Sequence, residues 1–402
     1  MRISTSWIYS TGIEGITRNQ AEMLRTQQQL ASGKRVLQPS DDPIASASAL
    51  TTQQSLALTD QYARNQGFAK GTLGLAESTL AQAGDVLQEV RTLAISAGNG
   101  TLSASDRKSL AVELRGKLDA LLGLANTRDG ARGYLFAGYQ DNTQPFVQTS
   151  AGVTYQGDQG SRALQVAAQR TLEVSASGAS VFEGGFAGNG SFTVSASVAN
   201  SGGGAADTGQ VTNPTALTGH TYQVQFKVVG GVTTYDVVDT TAAANVVTGA
   251  AYKPGGAIGF DGMQFSMSGA PNNGDTFAIA PSTRQSVFKT LDDLATALEA
   301  SGAGTSNKGV FQTRLAAGIA SIDQASDQVL SVRTGLGARL RELDSLGSQA
   351  EGQTQNYKEE LSRLTDLDYA GAISTLAQQQ AMLQAAQQSY LKVTGLSLFK
   401  YL

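Results

Sequence analysis

The chain has 402 residues, no cysteine, one histidine, and 29 basic against 33 acidic residues, for a formal charge of -4. Those counts exclude a disulfide framework, a thiol nucleophile, an iron–sulfur or cysteine zinc site and a histidine-cluster metal centre, and they provide no basic stripe to displace counterions from nucleic acid. Charged residues make up only 15% and aromatics 6%, so the chain is polar but weakly charged beside the roughly 25% charge of ordinary globular proteins.

The opening MRISTSWIYSTGIEGITRNQ has no apolar run followed by a small-residue cleavage site, so no cleaved secretory signal is expected. No later stretch approaches the roughly eighteen apolar residues of a membrane-spanning helix. Alone, these signals point to the cytoplasm. In the first segment Ile16, Met23 and Leu30 keep a seven-residue step, with Gln20 and Gln27 between them. Leu37-Gln-Pro-Ser-Asp-Asp-Pro43 then reads as a turn, with Asp42 as N-cap and Pro43 as the first residue of a new helix. The alternation Leu73, Ala76, Leu80, Ala83, Leu87, Val90, Ala94, Ala97 follows in unbroken steps of three and four. Gly98-Asn-Gly100 and the cap signals Ser103, Ser105 and Asp106 mark a helical hairpin, after which Ala111, Leu114, Leu118, Leu121 and Ala125 resume the pattern.

The seven prolines, at 39, 43, 145, 214, 254, 271 and 281, leave residues 44–144 and 282–402 free for long helices. Residues 146–283 hold 22 of the 46 glycines, with four basic against eight acidic residues, so the entire net charge belongs to this insert. Its periodicity is two. Tyr222, Val224, Phe226 and Val228 lead through Gly230-Gly231 to a strand around Tyr235 and Val237; Ile258 and Phe260 lead through Asp261-Gly262 to Met263, Phe265 and Met267. Both read as hairpins. Phe192, Val194, Ala196 and Val198, and Phe277 with Ile279, add short strands, and 201–209 reads as a Gly/Ala loop.

Beyond the insert, Leu315, Ile322, Val329, Leu336, Leu343, Ala350, Tyr357 and Leu364 repeat every seven residues, a seam that at 1.5 Å per residue would span about 75 Å. A second set, Tyr369, Leu376, Leu383 and Tyr390, is joined by Ala372, Ala386 and Val393. The fold class expected is mainly α with an inserted β domain. Residues 1–40 and 366–402 form a terminal coiled-coil domain, 41–145 and 284–365 a long-helix domain, and 146–283 the β-rich insert. The two terminal arms, fringed by Gln and Ser, bury too little by themselves to offset about 1–2 kcal/mol of backbone entropy per residue. They are expected to order only when neighbouring copies cover them.

Residues that could carry chemistry are sparse. His220 could act only as a lone base, and a passive strand-edge role fits it better. Asp41-Asp42 and Asp292-Asp293 sit where helices are expected to begin, so capping explains them better than acid–base work. Gly202-Gly203-Gly204 lacks the Lys-Ser/Thr of a phosphate loop. Lys34-Arg35 and Arg339/Arg341 suit a solvated face or an ion pair between subunits. No catalytic, metal or cofactor-binding residue is expected.

Leu30-Ala-Ser-Gly-Lys-Arg-Val-Leu-Gln-Pro-Ser-Asp-Asp-Pro-Ile44 resembles the signature that follows the first helix in flagellins and hook-associated proteins. Arg128-Asp-Gly-Ala-Arg-Gly-Tyr-Leu-Phe-Ala-Gly138 with Asp141–Phe146, Gly274-Asp-Thr-Phe277, Arg284–Phe288 and the ending Leu396-Ser-Leu-Phe-Lys-Tyr-Leu402 are similar to motifs of that family's hook-filament junction branch. Asp368-Tyr-Ala370 is shared with flagellins generally. The resemblance implies a flagellin-like fold and a structural, non-enzymatic role with no cofactor, nucleic acid or small-molecule substrate. The implied partners are further copies in a ring or helical oligomer, hook-associated protein 1, flagellin, the flagellar export apparatus and a cytosolic export chaperone. The implied location is the extracellular flagellum, reached through its channel without a cleaved signal. The export segment would lie in Met1–Arg18. The assembly seam would comprise Ile16, Met23, Leu30, Tyr369, Leu376, Leu383, Tyr390 and Val393, and chaperone contact, within 370–402, would use Leu383 and Tyr390. A short flagellin, or a flagellar protein whose insert binds surfaces, are the alternatives.

Overall fold

The computed structural model of the chain describes residues 5–130, 133–300 and 308–395. The closing motif Leu396–Leu402, residues 1–4 of the expected export segment and Ala131-Arg132 lie outside them. The helices are α1 (Thr5–Ser32), α2 (Pro43–Ala97), α3 (Ala104–Ala125), the short α4 (Gly178–Phe182), α5 (Val287–Ala300), α6 (Lys308–Thr365) and α7 (Tyr369–Gly395). Two compact units divide the chain, one within residues 1–64 and 345–402 and the other within 65–344.

In the larger unit the sequence periodicity becomes a core. Leu73, Ala76, Leu80, Ala83, Leu87, Val90, Ala94 and Ala97 of α2 are all buried, as are Ala111, Leu114, Leu118, Leu121 and Ala125 of α3. Leu315, Ile322, Val329, Leu336 and Leu343 do the same for α6. Each fully buried Leu, Ile or Val is worth about 1.5–3 kcal/mol relative to exposure, so these stripes dominate the unit's stability. Ion pairs flank them: Lys70 to Asp344 at 2.6 Å, Arg91 to Asp323 at 2.6 Å and Arg333 to Glu77 at 2.7 Å join α2 to α6. The α2–α3 turn is closed by a reciprocal cap. Ser103 accepts from the Asp106 N–H and Asp106 accepts from the Ser103 N–H.

The segment expected to begin the insert folds onto these helices instead. Strands β1 (Phe146–Thr149) and β2 (Gly152–Tyr155) pair, as do β3 (Ala163–Ala167) and β4 (Arg170–Glu173). Phe146 anchors the first pair: its ring centroid lies 5.0 Å from that of Phe288 on α5 and 5.4 Å from that of Phe182 on α4. The second pair is held by Gln66, whose amide donates to the Val166 carbonyl at 2.7 Å, and by ion pairs of Arg170 with Glu342 and Arg339 with Glu173. Buried Phe146, Val166 and Leu172 have nowhere else to hide their apolar surface.

The remaining strands are β5 (Phe192–Ala196), β6 (Ala205–Ala206), β7 (Gln210–Val211), β8 (Tyr222–Val229), β9 (Val232–Asp239), β10 (Ala244–Ala251), β11 (Ala257–Phe260), β12 (Met263–Ser268) and β13 (Thr276–Pro281). One antiparallel sheet has the order β10-β9-β8-β13-β5, and a second joins β11, β12 and β6, with β7 also on β12. Alternate residues Tyr222, Val224, Phe226, Phe265, Met267, Phe277 and Ile279 form a shared core, to which α6 adds Val310. Both expected turns form, with positive φ at Gly230 and Gly231 and at Asp261 and Gly262, the twist that two-residue hairpins need. The Gly/Ala loop differs from expectation: Ala205 and Ala206 are buried as a strand, paired with Met267 and Ser268. Val198 stands 73% exposed, outside any strand.

Leu80→Ala is expected to lower the unfolding free energy by about 3 kcal/mol in urea denaturation, whereas Val112→Ala, at a position 66% exposed, should change it by no more than roughly 0.5 kcal/mol. Similar losses for both would mean that the α2 stripe is not the core.

Candidate assembly surface

In the smaller unit, α1 and α7 pack against each other. Tyr9, Gly12, Ile16, Asn19, Met23, Thr26 and Leu30, spaced by three and four, are buried or half-buried along α1. On α7 the same holds for Ala372, Leu376, Gln379, Leu383, Ala386 and Tyr390. The helices run antiparallel, with the Tyr9 and Tyr390 rings edge to face at 6.3 Å between centroids. Where the sequence leads one to expect arms ordered only by neighbouring copies, each helix covers the other's seam. The intervening layers are Gly12, Asn19 and Thr26; Gln20 and Gln27, which occupy those positions in the sequence reading, are exposed.

The turn that positions this pair is built from the motif around residues 33–44. Just past α1, the Gly33 N–H donates to the Gln29 carbonyl at 2.8 Å. The next residues stitch themselves to the break between α6 and α7. The Arg35 N–H donates to the Thr365 carbonyl at 2.8 Å, the Leu367 N–H to the Gly33 carbonyl at 3.0 Å, and the Arg35 guanidinium to the Leu364 carbonyl at 2.9 Å. Asp41 Oδ2 accepts from the N–H groups of Leu37 and Gln38, each at 3.0 Å, and Asp41 Oδ1 lies 2.8 Å from Arg25. Asp42 Oδ1 accepts from the Ala45 N–H at 3.0 Å, while its other oxygen pairs with Arg35 at 3.1 Å. Backbone N–H donors, with Arg25 and Arg35 beside them, hold both carboxyls below their ordinary range. Asp42 is thus the cap expected from sequence, and Asp41 serves the turn before it. Asp368 caps α7 by accepting from the Ala370 N–H at 3.1 Å.

Of the eight residues expected to form an assembly seam, Ile16, Met23, Leu30, Leu376, Leu383 and Tyr390 are half-buried on the mutual faces of α1 and α7. Tyr369 and Val393 are exposed. Other apolar residues of these helices point away from the seam: Trp7 is 62% exposed, Ile13 51%, Leu24 55%, Ile373 58% and Met382 60%. The sequence reading passed over them because they break the seven-residue step. Their signal was being large, apolar and off the seam. Ile13 and Leu24, eleven residues apart, fall on one face of α1 at about 3.6 residues per turn.

Elsewhere the chemistry is structural. His220 Nδ1 lies 2.6 Å from Asp239 Oδ2, whose partner oxygen accepts from the Thr241 and Ala242 N–H groups, so the imidazole closes a strand end. Asp292 and Asp293 do not cap α5. They lie beyond its first turn, where Asp292 pairs with Arg115 at 3.0 Å and Asp293 with Lys289 at 2.9 Å. Gly202 donates its N–H to the buried Asp275 carboxylate, which fixes the loop and leaves no phosphate cradle. Arg35 and Arg339 pair within the chain, with Asp42 and Glu173. A cleft of about 480 Å³ between β5, α5 and α6 is lined by Thr193, Thr290, Leu294, Arg314 and Gly318 among others. Among the described residues no group of three or more His, Cys, Asp or Glu could hold a metal ion, and no helix is long and apolar enough to cross a membrane.

This arrangement has relatives. The model of the bacterial flagellin N-terminal helical region matches residues 3–141, that of the flagellin C-terminal helical region matches 319–402, and that of a D2-like domain of flagellar hook-associated protein 1 matches 195–281. Flagellar hook-associated protein 3 of Salmonella typhimurium is 30% identical over 404 aligned residues, covering 100% of this chain and 99% of its own. The crystal structure of the flagellar junction protein FlgL from Legionella pneumophila superposes with a TM-score of 0.72 at 32% identity, covering 80% of this chain and 100% of that one. A crystal structure of FlgL from Xanthomonas campestris does so at 0.72 and 34% identity, covering 77% and 99%.

Because the Asp41 and Asp42 pKa values are lowered in the folded turn, their contribution to stability is present above the ordinary carboxylate range and is lost as pH falls through the lowered values. NMR titration of the carboxyl carbons should give midpoints below those of unfolded aspartate; midpoints at or above them would remove the turn's electrostatic account. Asp42→Ala should speed hydrogen exchange at the Ala45 amide and leave that of Leu80 unchanged.

Proposed function

The chain belongs to the flagellar hook-associated protein 3 family, and on that premise we propose that it builds the junction by stacking copies through the α1–α7 pair. It is a structural component of the bacterial flagellum at the junction between hook and filament. The observation that carries the proposal is the set of apolar side chains left outside the α1–α7 seam, Trp7, Ile13, Leu24, Ile373 and Met382. Large apolar groups exposed on two paired helices are stabilised when another apolar surface covers them. In this reading residues 1–40 and 366–402 form the inner layer, 41–145 and 284–365 with the 146–173 hairpins packed on them the helical layer outside it, and the sheets of 192–281 the outward layer. The expected seam residues act in two ways: Ile16, Met23, Leu30, Leu376, Leu383 and Tyr390 hold the pair together, and Tyr369 and Val393 join its outer face.

One end of the stack meets hook-associated protein 1 and the other receives flagellin, with no catalytic step. Similarity of residues 195–281 to a hook-associated protein 1 domain supports a matched outward layer on the hook side. Export runs through the flagellar channel with Met1–Arg18 as an uncleaved signal, and a cytosolic chaperone holds residues 370–402 through Leu383 and Tyr390. Both side chains are half-buried in the α1–α7 seam, so chaperone and α1 compete for one face of α7. The chaperone must therefore leave before the pair closes.

Leu24→Asp and Ile373→Asp, produced in a strain lacking the native chain, should each abolish incorporation: flagellin is released unpolymerised while hooks remain complete. Urea unfolding of the larger unit should stay within roughly 0.5 kcal/mol. Normal filaments from both variants would sink the proposal. Leu383→Asp should also block chaperone binding in a pull-down with the full chain, which Leu24→Asp should not.

A further inference from the structure

Three asparagines in the chain are followed directly by glycine: Asn99, Asn189 and Asn273. A glycine carries no Cβ to screen its backbone nitrogen, so at each pair that nitrogen can attack the carbon of the preceding side-chain amide. Two of the pairs have nearly the same local sequence, Gly98-Asn-Gly-Thr101 and Gly188-Asn-Gly-Ser191. A difference in reactivity between these two comes from the fold.

The fold ties down two of the three sites. At the first, the Asn189 side-chain nitrogen donates to the Thr208 carbonyl at 2.9 Å and the Gly209 carbonyl at 3.1 Å, and the Gly190 N–H donates to the Ala187 carbonyl at 3.3 Å. Asn273 is exposed, yet its Oδ1 accepts from the Val228 N–H at 3.1 Å and the Gly274 N–H donates to the Phe226 carbonyl at 2.9 Å. Neither pair can react until these bonds open.

The turn between α2 and α3 treats Asn99 differently. Asn99 and Gly100 are exposed, the Gly100 N–H donates to no backbone carbonyl among the described residues, and a Cβ added to Gly100 would meet nothing within 4 Å. The attacking nitrogen is free and has room. The side-chain oxygen, in contrast, is organised: Asn99 Oδ1 accepts from the Thr101 N–H at 3.1 Å and from the Thr101 hydroxyl at 2.9 Å. Both donors face the atom on which negative charge develops when the amide carbon is attacked.

We propose that Asn99 is the chain's site of spontaneous deamidation, assisted by Thr101. Hydroxide takes the Gly100 amide proton, and the Gly100 nitrogen bonds to Asn99 Cγ while Oδ1 carries the charge under the two Thr101 donors. The Cγ–Nδ2 bond then breaks, and ammonia leaves with a proton from water, which regenerates hydroxide. Water opens the resulting cyclic imide at either carbonyl, giving aspartate or isoaspartate. Each conversion sets a new negative charge two residues past the end of α2, where the helix dipole disfavours an anion. The inference concerns the isolated chain and does not rest on the assembly reading.

The purified full-length chain, held in neutral buffer made with oxygen-labelled water, is digested and its peptides are weighed. Label should enter residue 99, as aspartate and isoaspartate, at least about tenfold faster than residue 189 or 273. In concentrated urea the rates at 99 and 189 should come within about threefold of each other, because only the local sequence then acts. Thr101→Val removes one donor to Oδ1 and keeps the backbone N–H. It should slow conversion at 99 about two- to tenfold in the folded chain and leave the rate in urea unchanged. Conversion at 189 or 273 as fast as at 99, a preference for 99 that persists in urea, or a folded-state rate untouched by Thr101→Val would overturn the proposal.

Discussion

Helices drawn from opposite halves of the sequence must meet before the larger unit has a core. The α2–α6 ion pairs join residues 232, 256 and 274 positions apart, so the chain between them closes a long loop before those contacts form. Exposed pairs of this kind contribute only about 0–1 kcal/mol each; the attraction that offsets closure comes from the buried Leu, Val and Ile stripes of α2, α3 and α6. The aromatic cluster of Phe146, Phe182 and Phe288 forms only once α5 is present to cover the β1–β2 pair. Loop closure costs just (3/2)RT ln n beyond a constant, which is why so long an excursion can be accommodated between two helices that depend on each other.

Much of this was legible in the residues. Steps of three and four mark the buried faces of α2 and α3, and steps of seven that of α6 from Leu315 to Ala350, because a long helix with one covered face repeats at those spacings. Alternation and Gly-Gly or Asp-Gly pairs marked β8 with β9 and β11 with β12, because a half-covered strand and a tight turn are local in sequence. What stayed hidden depended on partners distant in the chain. That residues 146–182 would fold against helices could not be seen without knowing that Phe288 and Gln66 lie beside them. Asp292 and Asp293 read as caps because no local signal marks Val287 as the first residue of α5, and their partners Arg115 and Lys289 are not visible as such in the sequence.

The terminal pair shows a different limit. Its seam was half legible through Ile16, Met23, Leu30, Leu376, Leu383 and Tyr390, yet its intervening layers use glycine, asparagine and threonine, which a search for apolar heptads discards. Small and polar residues there follow from the size of what faces them. The Tyr390 ring lies against Gly12, where an added Cβ would stand 3.1 Å from it. The local signals near the turn were stronger, since Asp42 followed by Pro43 is a cap that needs no distant partner, and Asp41 finds its donors four residues away or fewer.

The strands β5 and β13 that open and close the outer sheets lie side by side, with Phe192 opposite Pro281 and Ala196 opposite Phe277. The chain therefore departs for these sheets and returns from them at a single point. Beyond that point the sheets touch the helices through β6, whose Ala206 N–H donates to Thr313 Oγ1 of α6, and through Val310, which enters their core. The hairpins farther from α6, β8 with β9 and β9 with β10, could lengthen or shrink over evolutionary time while the helical halves stay the same distance apart. The β8–β10 hairpins are thus freer to diversify than the part that closes around α2 and α6.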